Sequence, residues 1–349
     1  MHTDPFASHH RGILEELARL TSRSEPFTLC LVVHSTGSTY RKPGALAVVR
    51  ADGTRRGVIS GGCLEPQLES AAQAAFAENR SRVVVFDTRA DDDVVFGSGT
   101  GCRGQMQVLL VPVAAGAHHP LCDVLVSADR GRQLLKAALI TSGEHAGSGY
   151  LWTADAETAL PPTLESVRSL RGRAPGEYPL ANGSTCAVLV FAPSPVVMLI
   201  GAGPEAPALI NIANQLGWRV IIADHREGLL SAHGAGAEQA ICARPAAAFA
   251  ALGDRRLDAC IVMTHGAASD REALAALARR TDPFIGLLGP PARRDELLAE
   301  LDPAARATLT PRLHAPVGLK LGGYGPETLA LSTCAELQRF LAAESELRG

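Results

Sequence analysis

Two cysteines framed by glycines are the residues of this chain best suited to chemistry. Cys63 follows Ser60-Gly61-Gly62 and precedes Leu64-Glu65, and Cys102 lies in Gly99-Thr100-Gly101-Cys102-Arg103-Gly104. Glycines let backbone approach a partner closely, and a thiolate is both a sulfur nucleophile and a soft metal ligand. From Cys63 to Asn79 the apolar residues Leu64, Leu68, Ala71, Ala72, Ala75 and Phe76 recur at three and four, which predicts an amphipathic helix after the strand-like Gly57-Val58-Ile59. Cys63 is thus expected at a strand-to-helix turn, where free N–H groups and the helix dipole would stabilise a thiolate. The plainer alternative is a small buried thiol filling a gap between glycines. Two such cysteines, each close after a strand, fit one shared pocket.

A third element offers charge. The strand predicted over Phe27–Val33 ends in His34-Ser35-Thr36-Gly37-Ser38-Thr39-Tyr40-Arg41-Lys42-Pro43-Gly44, whose hydroxyls, backbone donors and adjacent cations suit a phosphate or other oxyanion. A solvated connection explains the same composition. Asp-Gly at 52–53 between apolar runs predicts a hairpin of Ala45–Val49 with Arg56–Ile59, which delivers the chain to Cys63. Strands over Val83–Phe86 and Met106–Pro112 bracket the second thiol, and the acidic triplet Asp91–Asp93 reads as a solvated turn because three consecutive side chains cannot face one point.

The elements that must position these groups fall into two sets. Chain length fits two domains, divided at 1–193 and 194–349. The first is read as an α+β cysteine-bearing domain. It begins with an amphipathic helix (Ile13, Leu14, Leu17, Leu20) and adds a helix over Leu121–Gln133 and strands over Leu134–Thr141, Tyr150–Thr153 and Thr185–Phe191, with Arg171–Pro179 as a surface loop. In the second, strand Val196–Ile200 leads into Gly201-Ala202-Gly203-Pro204-Glu205-Ala206, an apolar helix, and strand Arg219–Ala223 ending in Asp224. This is a βαβ unit with the glycine pattern that seats a pyrophosphate and a carboxylate that takes a ribose hydroxyl. Pro204 and Pro207 remove donors from the first turn, and Glu205 brings negative charge to the pyrophosphate position. Arg226 could instead receive a 2′-phosphate. Further βα units (strands Ala259–Met263 and Pro283–Leu288) imply a Rossmann-like doubly wound parallel sheet, with His265 at a strand end where ligands bind.

Composition excludes several classes. The net charge is −3 with no long basic run, so nucleic-acid binding is not expected. Prolines break the uncharged stretch 178–204 into two buried strands rather than a membrane helix, and the first twenty residues lack the pattern of an export signal. Eight dispersed cysteines without a C-x-x-C pair suit reduced cytosolic thiols. The histidine pairs His9-His10 and His118-His119 read as solvated.

Taken together, these runs resemble the XdhC/CoxI family, accessory factors of molybdenum hydroxylases. The resemblance rests on Gly37-Ser38-Thr39 with Arg41 and Pro43-Gly44-Ala45, Ser60–Glu65, Gly99–Gly104, Gly201-Ala202-Gly203, Asp224 with Arg226, Val262–His265, Ile285–Gly289 and Arg312–Leu319, in the family's order. It implies binding of molybdenum cofactor (molybdopterin or its dinucleotide form), sulfuration of that cofactor with a cysteine desulfurase, and delivery to an apo molybdenum hydroxylase by a cytoplasmic homodimer. On this reading Cys63 is the main molybdenum ligand or sulfur relay and Cys102 a supporting thiol. Arg41 and Lys42 are phosphate contacts, and Gly61, Gly62 and Gly101 give close backbone approach. Gly201, Gly203, Asp224 and Arg226 would contact a nucleotide.

The chain departs from the family's pattern at Pro204, Gly266, Pro290-Pro291 and Gly322–Glu327, all in the second domain, and at Ser60 and Arg103 in the first. That distribution implies a thiol-centred function that persists and a second domain whose nucleotide or metal binding has changed or been lost. The competing reading is an enzyme, an NAD(P)-dependent oxidoreductase with His265 as its catalytic group.

Overall fold

The computed structural model describes residues 10–87 and 104–348. Cys102, Gly101 and the Asp91–Asp93 triplet lie outside the described residues. The chain divides into two compact units, one ending at Pro193 and the other spanning Ser194–Arg348.

The first unit contains two antiparallel sheets. It runs α1 (His10–Ser22), β1 (Phe27–Gly37), β2 (Leu46–Arg50), β3 (Arg55–Arg56), α2 (Glu65–Glu78), β4 (Arg82–Asp87), β5 (Gly104–Val113) and α3 (Pro120–Arg130). It continues with β6 (Leu135–Ile140), β7 (Gly149–Trp152), β8 (Glu157–Leu160), α4 (Glu165–Arg168), β9 (Gly176–Pro179) and β10 (Thr185–Phe191). One sheet has the order β3-β2-β1-β5-β4 and the other β8-β7-β6-β10-β9. The period-two alternation of a strand assigns the faces of β1. Leu29, Leu31 and Val33 join a core with α1, α3 and the inner face of the second sheet, whereas Cys30 and Val32 pack with Leu68, Ala72 and Ala75 of α2. Fully burying each such leucine contributes about 1.5–3 kcal/mol.

The first sheet's topology gathers the candidate groups at one end. β1 ends at Gly37, paired with Gly104, the first residue of β5, and the cationic loop 38–45 turns back there into β2. β3 runs antiparallel to β2 and so leads to the same end before the Cys63 turn. β4 runs antiparallel to β5 with Asp87 opposite Gln105, so both flanks of the segment that carries Cys102 lie there too.

The second unit is a six-stranded parallel sheet of order β13-β12-β11-β14-β15-β16, built from β11 (Val196–Ile200), β12 (Arg219–Ala223), β13 (Gln239–Ile241), β14 (Ala259–Val262), β15 (Ile285–Leu287) and β16 (Leu313–His314). Its helices are α5 (Ala206–Gln215), α6 (Glu227–His233), α7 (Pro245–Leu252), α8 (Ala267–Leu277), α9 (Pro291–Ala299), α10 (Pro303–Leu309) and α11 (Pro326–Arg348). Both faces are covered: α5 and α11 supply Leu209, Ile210, Ala330 and Leu337 to one core, and α7 and α8 supply Phe249 and Leu274 to the other. The strand order reverses between β11 and β14, which makes the crevice at their carboxyl ends the ligand position of a Rossmann sheet. Among the described residues, no helix is long and apolar enough to cross a membrane.

Several elements differ from expectation. The strand after the Asp-Gly turn is only two residues long, because Gly57 turns away with φ +90° and packs so closely that a Cβ there would lie 2.9 Å from the Leu46 carbonyl. Part of the predicted loop 171–179 is the edge strand β9. His10 is not solvated: its Nε2 lies 2.7 Å from the Gly44 carbonyl oxygen and its ring stacks on Phe191, and burial pushes its pKa below the ordinary value. His119 caps α3, its Nδ1 accepting from the Leu121 N–H at 3.3 Å.

Candidate functional site

At the end of the first sheet, Gly61, Gly62 and Cys63 are all exposed. The helix starts at Glu65 rather than Cys63, and its first turn explains how the thiol is presented. Glu65 is 4% exposed. Its Oε1 accepts from the N–H groups of Ser60 (2.9 Å) and Ile59 (3.3 Å), and its Oε2 takes the Ser60 hydroxyl. The Ser60 Oγ in turn accepts from the N–H groups of Gly62 (3.3 Å) and Leu64 (3.0 Å). The N–H groups on either side of Cys63 are therefore engaged by Ser60, and the first residue of the helix brings the chain's own carboxylate to its positive end. Burial alone would raise the Glu65 pKa, but the bonds from Ser60 outweigh it and hold the carboxyl below its usual range. Gly62 turns the chain at φ +110°, and a Cβ on Gly61 or Gly62 would meet open space. The arrangement is a rigid, open bend that leaves a thiol in solvent.

In the cationic loop, Lys42 is exposed, with Nζ 3.3 Å from the Thr39 hydroxyl, and Thr39 donates to the Arg41 carbonyl at 3.0 Å. Arg41 is half-buried, and burial pushes its guanidinium below the usual value. A Cβ on Gly104 would lie 2.6 Å from the Ser38 carbonyl oxygen and 2.8 Å from that of Thr36, so β5 enters directly against this loop. The seven described cysteines are all free, and only Cys63 and Cys242 among them are exposed. No group of three or more metal-ligating side chains occurs among the described residues.

The other predicted site residues belong to the second unit, around the end of β11. Gly201 has φ +116°, and a Cβ there would lie 2.8 Å from Thr264 Cα and would overlap the Met263 carbonyl. Only glycine lets β11 pass β14 so closely. Asp224 sits at the end of β12, 4% exposed. Its carboxylate accepts from the Ala202 N–H (2.8 Å), the Arg226 N–H (2.9 Å) and the Arg226 guanidinium (2.7 and 2.9 Å). Burial would raise its pKa, and these bonds instead hold it at about 2. His265 follows β14 with φ +60°, and its Nε2 lies 3.2 Å from Glu205 Oε2. Thr264, next to it, is anchored by Asp270, whose Oδ1 takes the Thr264 hydroxyl at 2.5 Å while Oδ2 takes Arg293 at 2.6 Å. Asp270 and Arg293 brace the histidine's loop, a role that only the tertiary placement of β14, α8 and α9 reveals.

The fold and sites define a two-unit protein, an antiparallel thiol-presenting unit joined to a Rossmann unit. Residues 20–87 match the XdhC and CoxI family and residues 197–337 match the XdhC Rossmann domain. The chain belongs to the XdhC/CoxI family. It is 29% identical over 331 residues to a probable xanthine dehydrogenase subunit of Bacillus subtilis (strain 168), covering 92% of this chain and 95% of that one. It is 25% identical over 329 residues to the uncharacterized protein YqeB of Escherichia coli (strain K12), covering 93% of this chain but only 46% of that protein. A crystal structure from Bacillus halodurans described as a xanthine dehydrogenase superposes with a TM-score of 0.80 at 28% identity, over 96% of both chains.

Proposed function

We propose that the chain is an accessory protein of a xanthine dehydrogenase-type molybdenum hydroxylase. It takes molybdenum cofactor, as molybdopterin or its dinucleotide form, as cargo, holds it for sulfuration with a cysteine desulfurase, and passes it to the apo-hydroxylase. The working form is a cytoplasmic homodimer. The names carried by the Bacillus relatives support the hydroxylase connection. Cys63 is the observation that carries the reading: an exposed thiol on a bend whose glycines leave open space.

The residues present fit such a cargo. A soft thiolate suits molybdenum or a transferable sulfur, and Lys42 at the same end of the sheet suits a phosphate. Cys102 supports from the segment flanked by Asp87 and Gly104. Cys63 either ligates the metal or relays the sulfur.

The test is retention and transfer of molybdenum cofactor by the purified full-length protein. Cys63→Ala is expected to lose cofactor retention, delivery to an apo-hydroxylase, or both, while keeping the parent's thermal stability. Retention and delivery equal to the parent's would overturn the assignment. If Cys63→Ala retains the cofactor but delivers it unsulfurated, Cys63 is the relay; loss of retention makes it the ligand.

A further inference from the structure

We infer that the glycine loop of the second unit is closed to the pyrophosphate of a dinucleotide, its anion position being taken by the Glu205 carboxylate tethered to His265. This goes beyond the cofactor reading above and is independent of it. In a Rossmann sheet the second glycine of the loop gives the pyrophosphate room to approach the backbone, the helix N-terminus supplies N–H donors, and the acidic residue after the second strand takes ribose hydroxyls. Within this chain the glycine's open face and the acidic residue are engaged, and the helix's first-turn donors are reduced.

A Cβ on Gly203 would lie 2.6 Å from Glu205 Oε2 and 3.0 Å from His265 Nε2, so the open face of the glycine is covered by those two side chains. Glu205 is 9% exposed, and its partner holds it in place at 3.2 Å. A phosphate entering here would meet a carboxylate rather than donors, and like charges at contact in a partly buried site repel strongly. Donors are also scarce. Pro204 and Pro207 have no N–H, and the Ala206 N–H is bonded to the Gly203 carbonyl at 3.1 Å. The ribose acceptor is engaged too, because Asp224 is saturated by Ala202 and Arg226. The same pair engages the Nε and Nη2 edge of the Arg226 guanidinium, which lowers the charge it offers to a 2′-phosphate. The residues of this crevice therefore do not fit NAD(P), although the fold implies it.

Glu205 is the residue that sets this specificity. The test is titration of the full-length protein with NADH, NADPH and ADP, followed by calorimetry and by nicotinamide fluorescence. The parent is expected to show no saturable binding up to about 1 mM, and Glu205→Gly and Glu205→Gln, checked for parental thermal stability, are expected to gain at least about tenfold in affinity for one of the three. Glu205→Gln keeps the side chain's shape and removes only the charge, so it remains informative where Glu205→Gly fails to fold. Saturable binding to the parent below that concentration overturns the closure. Absence of any gain in both folded variants overturns Glu205 as its cause.

Discussion

The Glu65 carboxylate closes back on Ser60, receiving its N–H at 2.9 Å as well as its hydroxyl, and the same Ser60 oxygen receives the N–H groups on either side of Cys63. Two side chains five residues apart thus take the N–H groups of Ile59, Ser60, Gly62 and Leu64, and the exposed thiol rides on the frame they make.

Removing either partner should loosen that frame. Ser60→Ala leaves the Gly62 and Leu64 donors without their acceptor and Glu65 Oε2 without its hydroxyl donor, and should cost about 1–3 kcal/mol in urea unfolding of the full chain. Glu65→Gln keeps the shape and should cost less. Its penalty should depend on pH. The folded carboxyl lies below its ordinary 4.5, so its contribution is fully present above that value and is lost as pH falls through the folded value. The stability difference between parent and Glu65→Gln should therefore shrink as pH is lowered below 4.5. A difference that persists unchanged at lower pH would rule out the charged staple.

Asp224 makes the corresponding prediction for the second unit. Its carboxyl is held at about 2 against an ordinary 3.8, so the stability it contributes is complete above 3.8 and declines toward pH 2. Arg226→Ala removes two of the bonds that hold it there, and should destabilise the unit by about 1–3 kcal/mol at neutral pH. It should also move the acid unfolding transition to higher pH. An unchanged acid transition, followed by circular dichroism, would show that the ion pair does not set this carboxyl.

Much of this architecture was legible before any coordinates, for identifiable reasons. β11 and β12 are buried on both faces, so they read as continuous apolar runs, and the glycines after β11 mark the tight strand-to-helix turn. β9 was not legible: it is an edge strand in a Gly/Pro-rich stretch, and an exposed edge needs no apolar alternation. β13 has three residues, two of them exposed, and α7 is alanine-rich without a polar face, so neither shows a period. The glycine-framed Cys63 stood out by composition, whereas the Ser60–Glu65 staple depends on the chain reversing at Gly62. Glu205 announced its charge at the pyrophosphate position. Its partner His265 is 60 residues away and is brought to it only by the strand order around the switch point.

Burial sorts the thiols. Cys30, Cys122 and Cys260 are buried and burial pushes their pKa values up, while burial pushes Cys186 and Cys334 up to about 12. Since the thiolate is the reactive form, iodoacetamide at neutral pH should label Cys63 and Cys242 in the native protein and leave these five unmodified until denaturant is added. Peptide mass spectrometry reads the order directly. Native labelling of Cys63 as slow as that of Cys30 would contradict the open bend.

The two glycines of the second unit should respond very differently to a methyl group. At Gly201 the added carbon would meet backbone atoms of β14, with the Met263 carbonyl carbon 2.6 Å away, and the φ of +116° is one that alanine rarely adopts. Neither strand end can yield without breaking the Gly201 N–H bond to the Ala223 carbonyl (2.8 Å) or the Met263 N–H bond to the Ile200 carbonyl (2.8 Å). Strain and overpacking together should make Gly201→Ala cost about 2–6 kcal/mol. At Gly203 the neighbours are the Glu205 and His265 side chains rather than backbone, so an added methyl strains one side-chain contact and no strand, and Gly203→Ala should cost only about 1 kcal/mol. Urea unfolding of the two full-length variants measures the contrast. Equal costs would mean that the contact between β11 and β14, and with it the shape of the crevice at the switch point, is looser than this packing requires.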